Sequence, residues 1–339
     1  MSLVSIILPT YNRIKFLPAA FASLLQQTHK EWELIIVDDG SDDGSEDLIA
    51  EYQSKLQQPC LYIKQENAGP AKARNTGILK AKGDYLAFFD SDDTWDDNHL
   101  AAAVDALDMH KDIDWIYFAC RRVKLSDQHL LCPSTFYTRD KKNVLFDCIV
   151  EKRADICLLD KQLASIAQIK EGIDSGLQNS VIRHNVFKKH LLPNFRIGED
   201  RLFILQALKS NFNLAFVDKV TVTYFVHEQN TSDTNVNSVD IEKRVSAMKV
   251  LLESYEKSFD LVMLNQSEKK ALKYKLSEDY FWKLGYTLHA QNKQYKQALK
   301  SMLKGIYYNP YRLKYYKSVL TTLLRYFSYT VLKKRRNTL

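Results

Sequence analysis

The sequence predicts an α/β fold followed by a helical appendage, and three observations lead there. Short apolar runs alternate with helix-patterned segments from Val4 to Phe89. Several of those runs end directly in polar or acidic clusters. Beyond about Asn230 the pattern turns to helical segments rich in Lys and Tyr.

The elements follow in order. Val4 to Leu8 reads as a buried strand ended by Pro9. Phe16 to Gln27 carries Leu17, Phe21, Leu24 and Leu25 at helical spacing. Trp32 to Val37 is a second strand, Ser45 to Gln57 a helix, Cys60 to Lys64 a third strand and Ala71 to Ala81 a helix. Tyr85 to Phe89 is a fourth strand, ending at Asp90. By itself this alternation points to a parallel sheet with right-handed crossovers. Further on, His99 to His110 reads as a helix and Trp115 to Val123 as a strand, whereas Ser126 to Ile173 follows no clear period. Gly198-Glu199-Asp200 precedes a helix from Arg201 to Leu208, with Asp200 placed to cap it, and strands from Leu214 to Phe225 lead to His227.

Composition narrows the class. At 339 residues the chain is long enough for a large core plus an appendage. Ten glycines and seven prolines leave little room for long flexible linkers. The five cysteines, Cys60, Cys120, Cys132, Cys148 and Cys157, form no CxxC pair. Neither a zinc site nor a disulfide framework is expected, and a reducing cytoplasm fits. The opening residues lack a basic leader, and no run of about eighteen apolar residues suggests a spanning helix. The formal charge of +7 is uneven: acids crowd the first hundred positions, and cations crowd Lys293 to Arg336. A basic end suits an anionic partner.

In open α/β sheets, ligands bind beyond the carboxyl ends of the strands. Three polar clusters stand there: Thr10-Tyr11-Asn12-Arg13, Asp38-Asp39-Gly40-Ser41 and Asp90-Ser91-Asp92-Asp93. Neighbouring carboxylates repel one another, and a hard cation such as Mg²⁺ or Mn²⁺ relieves that repulsion while bridging to diphosphate oxygens. A short acidic cluster can equally be a solvated loop or a helix cap. Asp38 and Asp39 can accept an N–H from a nucleotide base, or simply hold a turn.

Taken together, Val4-Ser-Ile-Ile-Leu-Pro-Thr-Tyr-Asn-Arg13, Ile36-Val-Asp-Asp-Gly-Ser41, Asn67-Ala-Gly-Pro-Ala-Lys-Ala-Arg-Asn-Thr-Gly77 and Gly83-Asp-Tyr-Leu-Ala-Phe-Phe-Asp-Ser-Asp-Asp93 resemble the family 2 glycosyltransferases in motif order and spacing. The resemblance is tight over the first third of the chain and weaker to about residue 230. It implies a GT-A fold, with a Rossmann-like mixed sheet and a C-terminal helical appendage. The catalytic domain would span residues 1–232, split into a nucleotide-sugar half, 1–105, and an acceptor half, 106–232; residues 233–339 would form the helical region.

The same resemblance implies roles by position. Pro9, Thr10, Tyr11 and Arg13 would line the nucleotide pocket, with Asp38 and Asp39 at the base and Arg74 near the nucleotide. Asp90 and Ser91 would lie on the ribose side. Asp92, the last residue of a DxD motif, would bind Mn²⁺ or Mg²⁺. Asp200, or failing that its neighbour Glu199, would be the catalytic base, because a sugar hydroxyl needs a positioned carboxylate to take its proton. His227 would approach the metal or diphosphate, followed by the polar Thr231-Ser232. Trp95 would wall the acceptor side.

The implied activity is inverting transfer of a sugar from a nucleotide diphosphate, UDP before GDP or dTDP, to a saccharide or lipid-linked saccharide in surface polysaccharide or glycolipid synthesis. A nucleotidyltransferase would carry a glycine-rich loop after the first strand, which Pro9 to Arg13 lacks. An inactive scaffold of the same fold would lack Asp92 or Asp200, and both are present.

From Leu299 to Arg336, Lys and Arg interleave with Tyr, Phe and Leu, closing on Lys333-Lys-Arg-Arg336. Such a segment suits an anionic membrane surface from the cytoplasmic side, or a helical bundle with Tyr residues packed inward. No nucleic-acid-binding pattern stands out.

Overall fold

A computed structural model describes residues 2–138, 141–195, 197–230 and 241–336. The chain divides into two compact units, Met1–Asn230 and Thr231–Leu339.

The first unit opens with β1 (Val4–Thr10), α1 (Leu17–Leu25), β2 (Trp32–Asp38), α2 (Ser45–Gln53), β3 (Cys60–Lys64), α3 (Pro70–Ile78) and β4 (Tyr85–Phe88). It continues with β5 (Thr94–Trp95), α4 (His99–Met109), β6 (Trp115–Lys124), β7 (His129–Cys132), the short pair β8 (Tyr137–Thr138) and β9 (Lys141–Lys142), β10 (Ile149–Arg153), β11 (Ile156–Leu159) and α5 (Lys161–Lys170). It closes with β12 (Ser180–Arg183), α6 (His184–Lys189), α7 (Glu199–Lys209) and β13 (Leu214–Val226).

The main sheet runs β10-β11-β13-β6-β12-β4-β1-β2-β3, with β5 on β13 and β7 on β6. Strands β1 to β4 are parallel, as the alternation requires. The sheet as a whole is mixed, because β12 lies antiparallel between β4 and β6. Two antiparallel steps restore direction, so β6 runs with β4, and β13 runs with β6. The carboxyl end of β13 therefore reaches the same rim as those of β1, β2 and β4.

The central strands read as continuous apolar runs because both faces are covered. Alternate residues enter different cores. Val4, Ile6 and Leu8 of β1 pack on one side with Ile116 and Phe118 of β6. Ile7 packs on the other with Trp115 and Tyr117. Gly83, leading into β4, lies against β1: a Cβ there would stand 2.6 Å from the Ser5 backbone nitrogen.

Pro9 does not end β1. Pairing with β2 continues to Thr10, whereas pairing with β4 stops at Ile7. A residue without an N–H is tolerated where one neighbour has already left. The stretch from Ser126 to Ile173 holds β7 to β11 and α5; its strands are short, and β11 takes its partner from β13, far along the chain.

The second unit contains α8 (Ile241–Leu261), α9 (Gln266–Glu278), a π-helical stretch Asp279–Ala290, α10 (Tyr295–Tyr308) and α11 (Leu313–Arg336). Asn265 and Glu268 cap α9 reciprocally, at 3.0 Å and 2.8 Å. The core gathers Phe281, Ala298, Met302 and Tyr315, with the Tyr315 ring stacked on Phe281 at 3.9 Å. Gly305 of α10 lets that helix approach closely, since a Cβ would meet Phe281 Cβ at 2.8 Å. Among the described residues, no helix is long and apolar enough to cross a membrane. Thr231 and Ser232 lie outside the described residues, as do the side chains of Lys333 to Arg336.

Candidate active site

The rim is built first from two interlocked loops. After β1, Asn12 adopts a left-handed conformation (φ 52°) that asparagine tolerates. Its N–H donates to Ser41 Oγ at 2.9 Å, and its Oδ1 accepts from the Asp42 N–H at 3.0 Å. The Asp39 N–H donates to the Thr10 carbonyl at 2.8 Å. Pro9 pairs with Val37 in the strand register. Thr10 is buried with a hydroxyl that has no partner, while Tyr11 is exposed.

Asp38 and Asp39 turn out to be different. Asp38 is fully buried; it accepts from the Ser41 N–H at 2.7 Å and the Tyr62 hydroxyl at 2.8 Å, so it holds the turn. Asp39 Oδ1 accepts from Gln65 Nε2 at 2.7 Å and the Ala68 N–H at 2.9 Å, and Oδ2 accepts from the Gly69 N–H at 2.8 Å. A carboxylate offers about four lone pairs. Asp39 thus pins the loop before α3 and keeps acceptor capacity on Oδ2.

The second group forms where β4 ends. Pairing of β5 with β13 sets Thr94 opposite Thr223 and Trp95 opposite Val222. This brings the turn Asp90–Asp93 beside the end of β13. His227 Nε2 lies 3.2 Å from Asp92 Oδ2. Arg13 Nε stands 3.7 Å from the same oxygen. The Arg13 guanidinium also donates to the Gln229 side chain at 2.9 Å and to its carbonyl at 2.8 Å. Phe16 stacks on the His227 ring at 4.5 Å. Ser91 is buried in the turn.

Asp93 has no assigned role in the sequence reading, yet it fastens this corner. Its Oδ1 accepts from the Phe225 N–H at 3.2 Å, and its Oδ2 is buried without a partner. Burial and the charges of Asp92 and Asp90 push its carboxyl well above the usual range. Only the position of β13, remote in sequence, reveals the role.

The third group is centred on Arg74 of α3. Its Nη1 donates to Glu199 Oε1 and its Nη2 to Asp90 Oδ1, both at 2.8 Å. Burial disfavours the guanidinium charge, but Asp90, Glu199 and Asp200 outweigh that and hold its pKa above normal. Burial, then the Asp200 charge, push the Glu199 carboxyl up to about 7, and Arg74 only partly offsets them. Helix α7 begins at Glu199, with Gly198 (φ 89°) before it. Asp200 therefore sits in the first turn rather than capping a helix at Arg201. It is half-buried, with Oδ1 accepting from the Arg201 N–H at 2.7 Å.

Trp95 is a correction. It is 3 % exposed, packs against Phe89 and His99, and donates its indole N–H to the Gln178 carbonyl at 2.9 Å. It belongs to the core beneath the acidic turn, because β5 pairing turns its side chain inward; it walls no acceptor cleft.

A divalent ion fits this corner in a particular way. Among the described residues, no three His, Cys, Asp or Glu side chains gather as ligands. Asp92 and His227 offer two, a carboxylate and an imidazole, which suit Mn²⁺ with the rest supplied by phosphate oxygens and water. The Gln229 N–H meets His227 Nδ1 at 3.2 Å, and the Asn230 amide nitrogen stands 3.3 Å from His227 Nε2, the ring nitrogen that faces Asp92. Asp92 would ligate through its carboxylate and His227 through a ring nitrogen that carries no proton.

Strand order and the placement of the charged turns along one rim give a fold of the GT-A type, an open mixed α/β sheet. Residues 5–151 match the family model described as glycosyl transferase family 2. TuaG of Bacillus subtilis (strain 168), a putative teichuronic acid biosynthesis glycosyltransferase, is 42 % identical over 98 residues, covering 29 % of this chain and 39 % of TuaG. GgaB of the same strain, a minor teichoic acid biosynthesis protein, is 30 % identical over 241 residues, covering 62 % of this chain and 24 % of GgaB. The chain thus spans well under half the length of either relative. Among solved structures, S. aureus TarS 1–349 with UDP-GlcNAc superposes with a TM-score of 0.60 at 19 % identity, covering 91 % of this chain and 81 % of that one. The Pyrobaculum calidifontis mannosyltransferase PcManGT, with GDP-Man and Mn²⁺, gives 0.55 at 15 % identity, covering 96 % and 86 %. These likenesses establish the fold.

Proposed function

We propose that this chain is an inverting glycosyltransferase that moves a sugar from a nucleotide diphosphate, UDP foremost, onto a hydroxyl of a teichoic-acid-type or related surface polysaccharide. The observation that carries the reading is the convergence of Arg13, Asp92 and His227 at the rim, with Arg74 tying Asp90 to Glu199 beside Asp200. The teichuronic and teichoic acid names of two relatives support the acceptor class.

In this reading, Asp39 accepts the base N–H through its remaining Oδ2 capacity, and Thr10 and Tyr11 flank the base. Arg74 holds Asp90 for the ribose. Arg13 faces the diphosphate. Asp92, joined by His227, would hold Mn²⁺ or Mg²⁺, and a bound ion would neutralise charge on the departing diphosphate. The acceptor oxygen forms its bond to the anomeric carbon as the carbon–oxygen bond to the diphosphate breaks. Asp200 takes the hydroxyl proton. Glu199 is committed to Arg74, which leaves the base role to Asp200. The acceptor is a saccharide or a lipid-linked saccharide at the inner face of the membrane, where the chain works as a peripheral protein.

The test is nucleotide release from a panel of nucleotide sugars with Mn²⁺ or Mg²⁺, followed by transfer with the responsive donor. Asp200→Asn should keep donor affinity and lower turnover roughly 100- to 10,000-fold. Full turnover in that variant removes Asp200 from the base role; no turnover of any donor by the unaltered chain removes the reading.

A further inference from the structure

Helix α11 has two faces of different kinds. One is anchored: Tyr315 stacks on Phe281, its hydroxyl meets Ser277 at 2.8 Å, and Thr322 is buried about two turns further on. The other is apolar and bare. Leu313, Tyr316, Leu320, Leu324 and Phe327 are between 48 % and 83 % exposed. At about 100° per residue they fall within roughly 80° of arc, a continuous stripe along the helix. Contiguous exposed apolar surface of this kind marks an interaction site.

We propose that this stripe lies flat on an anionic lipid bilayer, with Leu and Phe side chains entering the acyl boundary and the flanking cations meeting lipid phosphates. The inference rests on the membrane-surface element of the proposed function and names the face that performs it.

Charge decides the occupant. Lys317 is exposed on the flank of the stripe, and Lys314 and Arg325 are exposed further round the helix. No Asp or Glu occurs from Lys293 to Arg336. A second copy docked through the same stripe would set these cations against one another without compensation, whereas a lipid surface of opposite sign attracts every one. The Tyr and Phe rings suit the headgroup level, and the helix is not apolar enough to cross. Nucleic acid would satisfy the cations but leave the leucines in water.

The full chain is tested by co-sedimentation with vesicles of phosphatidylcholine containing about one third phosphatidylglycerol, against pure phosphatidylcholine. Binding should require the anionic lipid. Leu320→Glu with Phe327→Glu should abolish it, and Lys314→Gln, Lys317→Gln and Arg325→Gln together should weaken it at least roughly fivefold, the share of one cation at the surface. Both sets lie on exposed positions, so the melting temperature should hold, and donor hydrolysis, read separately, should not change. Failure of the unaltered chain to bind, unchanged binding by either variant, or a concentration-dependent dimer that the glutamates dissolve would overturn the proposal.

Discussion

Arg74 donates to Asp90 and Glu199 from a buried position, so one side chain ties the turn after β4 to helix α7. The cost of burial falls on Glu199, whose carboxyl rises from the ordinary 4.5 to about 7. The folded chain therefore holds a proton that the unfolded chain releases. That contribution to stability is full below the ordinary glutamate range and is lost as pH rises through about 7. Across this range the unaltered chain should lose melting temperature relative to Glu199→Gln as pH rises; parallel curves would contradict the assignment. The sequence made the acidic and basic clusters legible as residue types at strand ends. It could not reveal that Asp38 is consumed by its own turn, or that Asp93 is clipped to Phe225, because those partners depend on register and on pairing across the sheet.

The four parallel strands were legible as elements because burial on both faces leaves an unbroken apolar run. Their ends were less so. Strand β1 passes through Pro9 only because β4 stops short of it, which is a fact about a neighbour. The region from Ser126 to Ile173 was opaque for the same reason: β7, β10 and β11 are short and owe their existence to β6 and β13. Gly83 shows how tightly β4 is seated. Alanine there would place a methyl 2.6 Å from the Ser5 nitrogen and 2.7 Å from the Leu3 carbonyl oxygen, both backbone atoms that cannot rotate away. Gly83→Ala should cost about 1–3 kcal/mol of stability, read by chemical denaturation. An unchanged midpoint would mean that the β1–β4 approach is looser than described.

At the scale of the whole molecule, the first unit carries the rim of acidic and basic side chains, and the second is a helical unit with an unpartnered apolar stripe. The topology explains why residues so distant in sequence meet. One antiparallel strand, β12, lets β6 and β13 run with β4, so His227 emerges beside Asp92. The central claim is that this corner, through Asp92, holds a divalent ion against the diphosphate of a sugar donor. Titration calorimetry of UDP with and without Mn²⁺ tests it most directly, using the unaltered chain and Asp92→Ala. The account predicts Mn²⁺-dependent binding that Asp92→Ala weakens at least roughly tenfold, about 1.4 kcal/mol. Equal affinity of the two proteins for UDP in the presence of Mn²⁺ would contradict it.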